Sequence, residues 1–273
     1  MDELILIPLG TVAPYPKDGK NCPGFLIKYD NQNILLDCGN GCTRLMNLEK
    51  DLNNLKIFIS HLHPDHFGDL ISLLQAIYVY RKFGLINSPI ELYIPDKDIE
   101  IESFGYEGED GWWTSKEFKK NSLEYRYIEK YAKEAQVTLK GYAEESFKFD
   151  KTTIKTSYVP HPIHTYAIRI NTEYGDITYS ADTGTNNRLN LFAKNSDIFI
   201  CESTFLKGQF RATDTHLYAQ EAAQIASKAE VEKLLLTHFW PEIDKQKYVD
   251  EAKKIFPNTE AAIEGKQLIL RRK

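Results

Sequence analysis

The sequence predicts an α/β fold in which two sheets meet along one seam. Three features predict it: alternating strand-like and helix-like segments, a second half that repeats the plan of the first, and histidines placed where apolar strands end. MDELILIPLG has an acidic start, a short apolar run and a proline, so it reads as a strand and not as a secretion signal. A hairpin follows, Gly24 to Tyr29, a turn at Asp30-Asn31, then Asn33 to Asp37, ended by Gly39 and Gly41. Helical spacing around Arg44 to Leu48 precedes a short buried strand, Leu55 to Ser60, that runs directly into His61-Leu62-His63-Pro64-Asp65-His66. Leu70, Leu73, Leu74 and Ile77 mark a helix stopped by Gly84, and Ile90 to Ile94 reads as a strand leaving at Pro95. Further strands are expected at Thr152 to Val159, Thr165 to Ile170, Ile177 to Ser180, Ile198 to Cys201, Lys233 to Thr237 and Gln267 to Leu270. Helices are expected at Arg188 to Lys194, along the stripe Ala219, Ala222, Ala223 and Ala226, and at Lys247 to Phe256. KIFISHLHPDH and KLLLTHFWPEID share one local plan, an apolar strand, a hydroxyl residue and a histidine, which suggests a duplicated β/α unit delivering ligands to the seam.

A length of 273 residues suits one elaborated domain, spanning 1–273. Hydrophobic residues at 42%, charged residues at 27% and a mean hydropathy of −0.43 exclude a disordered, collagenous or membrane-embedded chain. A net charge of −5 gives no global positive field to draw the molecule to nucleic acid or anionic membranes. Four cysteines without a C-x-x-C pair favour reduced thiols and a cytoplasmic location. The interval 103–145 stands apart. It holds nine aromatics, including Trp112 and Trp113, a helix-like stretch from Lys116 to Gln136, and nine acidic against seven basic residues, so it reads as an insertion suited to a lid or to packing and not to gripping a phosphate backbone. The chain has no P-loop, G-x-G-x-x-G or G-x-S-x-G motif.

Three of the seven histidines and a carboxylate fall within six residues, on a tight loop where Pro64 and the strand exit are expected to prevent a regular helix. Imidazole and carboxylate suit zinc and related divalent metals. Four such groups exceed what one tetrahedral ion takes while keeping an open position, so two ions are implied. Asp182 in Ala-Asp-Thr-Gly would alone read as an ordinary turn and His238 alone as structural, but each follows an apolar strand closely, as a di-metal site requires.

The motif resembles the H-x-H-x-D-H signature of the metallo-β-lactamase superfamily, without a mismatch and within a likeness that runs over nearly the whole chain. PLGT with NCPGFLIKY, LLDCGNG, YSADTG and THLYAQEAAQIASKAEVEKLLLTH are similar to the RNase Z-like branch. The resemblance implies a four-layer αββα sandwich with a di-metal hydrolytic site at one edge, zinc as the first choice of metal and manganese or iron after it. It implies that His61, His63 and His161 hold one ion, that Asp65, His66 and His238 hold the other, that Asp182 bridges them and that Asp37 supports the ligands from behind. His164 competes with His161, because lactonase and glyoxalase branches use a histidine directly before a threonine. In RNase Z-like sequences the ligand lies five residues before an aromatic-small-x-Arg strand, and His161 has that spacing to Tyr166-Ala167-Ile168-Arg169, so the resemblance favours His161 and leaves His164 to the pocket or a supporting place. His216, oriented by Glu202, would protonate a leaving alkoxide.

The expected chemistry is hydrolysis by a bridging water held as hydroxide, with Asp65 both ligand and proton acceptor. A histidine acid matters more for a phosphodiester than for a lactone, so a small-molecule or nucleotide phosphodiester is the expected substrate. Phe239-Trp240-Pro241-Glu242 stands where the branch usually has a serine and an arginine, Ala167-Ile168 replaces a Gly-Tyr, and the tRNA-contacting arm is missing. Pre-tRNA is therefore a disfavoured substrate. The same residues are also compatible with a lactonase or thioesterase, and with a non-catalytic metal-binding protein. No membrane partner is expected, and the branch suggests a homodimer.

Overall fold

Strands buried on both faces need apolar residues at successive positions, and β1 (Glu3–Gly10) shows why: Leu4 and Leu6 face one core while Leu9 faces another. The computed structural model describes residues 3–95, 123–211 and 213–271. After β1 the chain runs through β2 (Gly24–Tyr29), β3 (Gln32–Leu36), α1 (Leu48–Asp51), β4 (Leu55–Phe58), α2 (Pro64–Phe67), α3 (Leu70–Lys82), β5 (Glu91–Pro95), α4 (Leu123–Glu134) and β6 (Thr138–Tyr142). The second half comprises β7 (Ser146–Phe149), β8 (Thr152–Val159), β9 (Thr165–Thr172), β10 (Gly175–Tyr179), α5 (Asn187–Phe192), β11 (Ile198–Glu202), α6 (Ala219–Lys228), β12 (Lys233–Thr237), α7 (Lys245–Ala252), β13 (Thr259–Ala261) and β14 (Leu268–Arg271). Among the described residues these strands form two seven-stranded sheets, ordered β14-β1-β2-β3-β4-β5-β6 and β13-β12-β11-β10-β9-β8-β7.

Three apolar clusters separate four layers. One lies between the sheets, where Phe25, Ile34, Leu36 and Phe58 meet Ile168, Ile170, Tyr179 and Ile200. A second joins the first sheet to α3 and α4 through Leu70, Leu74, Ile77, Ile128 and Ala132, and a third joins the second sheet to α5, α6 and α7 through Leu189, Ala223 and Val249. This is the expected αββα sandwich.

Three expectations change. The turn at Pro64 does not block a helix; it starts α2, because proline at the first helical position has no amide partner to lose. Within the span read as an insertion, α4 and β6 belong to the sandwich: β6 pairs in parallel with β5, and Ile128 and Ala132 are core residues. Residues 103–122, including Trp112 and Trp113, lie outside the described residues, and with them the lid reading. The repeat also has a different register. Each half has a hairpin (β2–β3, β9–β10) followed by parallel strands, so β4 corresponds to β11, and β12 to β5. The likeness of KIFISH to KLLLTH therefore joins strands that are not equivalent.

The loop after β3 presses directly on the metal-motif loop. The Cys38 amide donates to the His66 carbonyl at 2.7 Å, and the Asp69 amide donates to the Cys38 carbonyl at 3.0 Å. At Gly39 a Cβ would stand 2.0 Å from the Asp65 carbonyl oxygen, closer than any side chain tolerates. Gly39→Ala should therefore force the two loops apart and cost about 1–3 kcal/mol, lowering Tm by several degrees in a melt. An unchanged Tm would show that the loops are not held this close.

Candidate metal centre

The histidines and aspartates of the sequence motifs follow the C-terminal ends of β3, β4, β8, β10 and β12 and collect at one edge of the sandwich. Their backbones are held in costly conformations: Asp37, Ala181 and His238 have φ of 58°, 53° and 61°, in the left-handed region that side chains other than glycine rarely adopt. Such strain recurs where function requires a side chain to turn out of the regular strand path. Two groups of ligand atoms form, His61, His63, His161 and Asp182 in one, and Asp65, His66 and His238 in the other. His216 joins Asp182 and His238 in a third, overlapping group, whereas His164 is in none of them.

The hydrogen bonds decide which nitrogen each ring presents. His66 Nδ1 donates to Asp37 Oδ2 at 2.7 Å, His161 Nδ1 to the Thr215 carbonyl at 3.0 Å, and His61 Nδ1 to Ser60 Oγ at 3.0 Å, with Ser60 donating in turn to Asp37 Oδ2 at 2.8 Å. Each ring is thus left with an Nε2 lone pair facing the centre. His63 turns the other way, its Nδ1 3.1 Å from both His61 Nε2 and His161 Nε2. One Nδ1 proton can satisfy at most one of those contacts, so lone pairs are held against each other. A tetrahedral zinc with bonds of 2.0–2.1 Å sets its ligand atoms about 3.3 Å apart, close to what these rings already show.

The second group has the same character. His66 Nε2, His238 Nε2 and Asp182 Oδ1 are buried and make no hydrogen bond. Asp182 Oδ1 lies 3.2 Å from His66 Nε2, and Asp182 Oδ2 lies 3.0 Å from His238 Nε2 and 3.6 Å from His61 Nε2, so one carboxylate touches both groups. Burial pushes the His61 and His161 pKa values down, His161 to about 3, keeping both rings neutral as metal binding requires. Burial also opposes charge on His238, but Asp182 overrides it and lifts the ring to about 10. Asp37, Asp65, Asp182 and Glu202 crowd negative charge around these rings, which divalent cations would balance. The donor set fits two such cations.

Asp37 stands behind His66 and Ser60. Fully buried, it accepts the Ser60 amide at Oδ1, and at Oδ2 the Ser60 hydroxyl, the Tyr179 hydroxyl and His66 Nδ1–H. On the opposite side His216 Nδ1 donates to Glu202 Oε1 at 2.9 Å, leaving Nε2 free. Its side chain is 23% exposed, against 1% for Glu202. Burial works against protonating His216, and the Glu202 charge and hydrogen bond outweigh it, so its pKa is raised. Arg211 donates to the His216 carbonyl at 2.8 Å while paired with Glu221 on α6, which steadies the loop.

One residue that hydrogen-bonds into the centre carries no signal in the sequence. Thr204 Oγ1 accepts from His238 Nδ1 at 2.8 Å and donates to Glu202 Oε2 at 2.9 Å, so a single carboxylate orients both His216 and, through the hydroxyl, His238. Nothing but its place two residues after Glu202 marks a lone threonine in a sequence. Thr204→Val should weaken metal binding about 10- to 100-fold, and Thr204→Ser should leave it intact, in a chelator competition. Equal affinities for the two variants would rule the relay out.

Comparison with known proteins places this arrangement. The family described as "Anti-Pycsar protein Apyc1" matches residues 4–260. Ribonuclease Z of Thermococcus sibiricus is 28% identical over 294 aligned positions, covering 92% of this chain and 91% of that protein. The metallo-β-lactamase fold protein YhfI of Bacillus subtilis superposes with a TM-score of 0.80 at 21% identity, covering 98% of this chain and 100% of its own. A diphosphatase of the PhnP family gives a TM-score of 0.69 at 15% identity, covering 99% and 98%.

Proposed function

The chain belongs to the family of the anti-Pycsar protein Apyc1, and we propose that it is a phosphodiesterase acting on a small or nucleotide phosphodiester at a two-cation centre. The metal-dependent hydrolase class follows from its RNase Z and metallo-β-lactamase relatives; the substrate is our reading. The observation that carries it is the His216–Glu202 pair, beside the metal ligands and reaching the surface. A departing alkoxide needs a proton, whereas the thiolate of a thioester leaves without one.

His61, His63 and His161 would hold one cation, Asp65, His66 and His238 the other, with Asp182 between them, zinc being favoured by the imidazole-rich donors. When bound, the ions supply Lewis acidity toward a phosphoryl oxygen and acidify a water at neutral pH. The protein's own part is positional and protonic. Asp37, Thr204 and Thr215 fix the ring orientations, Asp65 accepts the proton of the attacking water, and His216 Nε2 delivers one to the departing oxygen while Glu202 keeps Nδ1 protonated.

Ribonuclease Z relatives motivate a pre-tRNA arm in the test. The net charge of −5 and the Phe239-Trp240-Pro241 stretch after His238 count against that substrate. An aryl phosphodiester, a cyclic nucleotide, a pre-tRNA and a lactone should be compared on protein of measured metal content. Turnover of the small phosphodiesters is expected to dominate. Pre-tRNA cleavage with a steep salt dependence, or preferred lactone hydrolysis, would overturn the proposal.

A further inference from the structure

Beyond His238, on the same edge of the sandwich, the loops leaving β1, β12 and β13 enclose a cavity of about 160 Å³. Its walls are tied together: the Phe239 amide donates to the Thr11 carbonyl at 2.9 Å, and the Ala13 amide to the Phe239 carbonyl at 3.0 Å. Glu264 closes one side by accepting the Asn21 amide at 2.9 Å and the Thr11 hydroxyl at 3.3 Å, so its carboxylate is engaged in holding the wall. Lys20 and Lys245 line the same cavity. Neither ammonium has an ion-pair partner among the described residues. Burial and the charge of Lys20 lower the pKa of Lys245, against the attraction of Glu264 and Asp244. The remaining lining is apolar, with Val12 and Ile263 on the walls and Trp240, 41% exposed, at the rim.

We propose that this cavity binds a small organic anion, a carboxylate, sulfonate or phosphate group held between Lys20 and Lys245 and carried on a flat apolar body that packs on Trp240. Three cations, Lys20, Lys245 and the Arg44 that acts on Glu264, against the two carboxylates Glu264 and Asp244 leave a local positive charge, in a chain whose net charge is −5. The volume lies below the roughly 300 Å³ at which drug-sized sites begin, so the occupant is one ring and one acid group in size. Trp240 and Pro241 belong to the very stretch in which the chain departs from the RNase Z-like pattern. The site does not depend on the hydrolytic reading. Its anion comes either from the distal end of a substrate or from a separate small molecule.

Benzenesulfonate, a poor metal ligand, is the probe. Calorimetric titration of the metal-loaded protein should show binding that persists in Asp65→Ala and weakens at least about tenfold, a 1.4 kcal/mol change, in the double variant Lys20→Gln, Lys245→Gln. Absence of binding to the wild type at millimolar probe, or equal binding by the lysine variant, would overturn the site. Kinetics on two aryl phosphodiesters, one bearing a carboxylate on its alcohol, then identify the source. A KM raised by the lysine variant only for the acid-bearing substrate assigns the cavity to the substrate's far end. Unchanged KM for both, with benzenesulfonate binding lost, assigns it to a separate ligand.

Discussion

Asp182→Ala is expected to lose both metal ions and at least three orders of magnitude in turnover, about 4 kcal/mol of transition-state stabilisation. Its two carboxylate oxygens lie within 3.0–3.6 Å of His66, His238 and His61, so removing it takes an oxygen donor from both groups at once. It also removes an anion, itself only 2% exposed, that lowers the cost of gathering two cations. Asp182→Asn keeps the shape but not the charge and should fall between. The measurements are elemental analysis after gel filtration and turnover of an aryl phosphodiester. Two retained equivalents of metal in Asp182→Ala would refute the ligand arrangement, whatever happened to the rate.

His216→Ala should separate metal binding from chemistry. The ring touches Asp182 only distantly, 3.9 Å from Nδ1 to Oδ2, so metal content is expected to stay at the wild-type value. Turnover of a phosphodiester with an alkoxide leaving group should drop about 10²- to 10⁴-fold, and that of an aryl ester, whose leaving group departs without a proton, far less. Equal losses on both substrates would argue against an acid role. Glu202→Gln is a more complex variant: Glu202 orients His216 directly and His238 through Thr204, so it should lower turnover and weaken metal binding together.

How far the sequence carries can be judged from particular residues. The hairpin of β2 and β3, the stripe of α3 and the strand before His61 are readable because their causes are local: alternation, 3.6-residue spacing and glycine or proline stops. Pro64 misleads because proline disrupts a helix interior yet suits a helix start, and only the observed register shows which applies. The β6 unit reads as an insertion because aromatic and charged residues mask a short strand that gains its order from pairing with β5.

The amino-acid order alone determined the donor chemistry of the candidate centre, because the imidazoles and carboxylate packed into six residues at a strand end are groups that suit divalent metal. The tertiary structure decided which distant groups complete it. It placed His161 and not His164 among the clustered donor atoms, turned His63 to present Nδ1, linked Glu202 to two histidines through Thr204, and brought Lys20 and Lys245 to one cavity. The reason is that ligand type resides in a side chain, whereas tautomer, orientation and convergence depend on hydrogen bonds between residues that only sheet packing brings within about 3 Å.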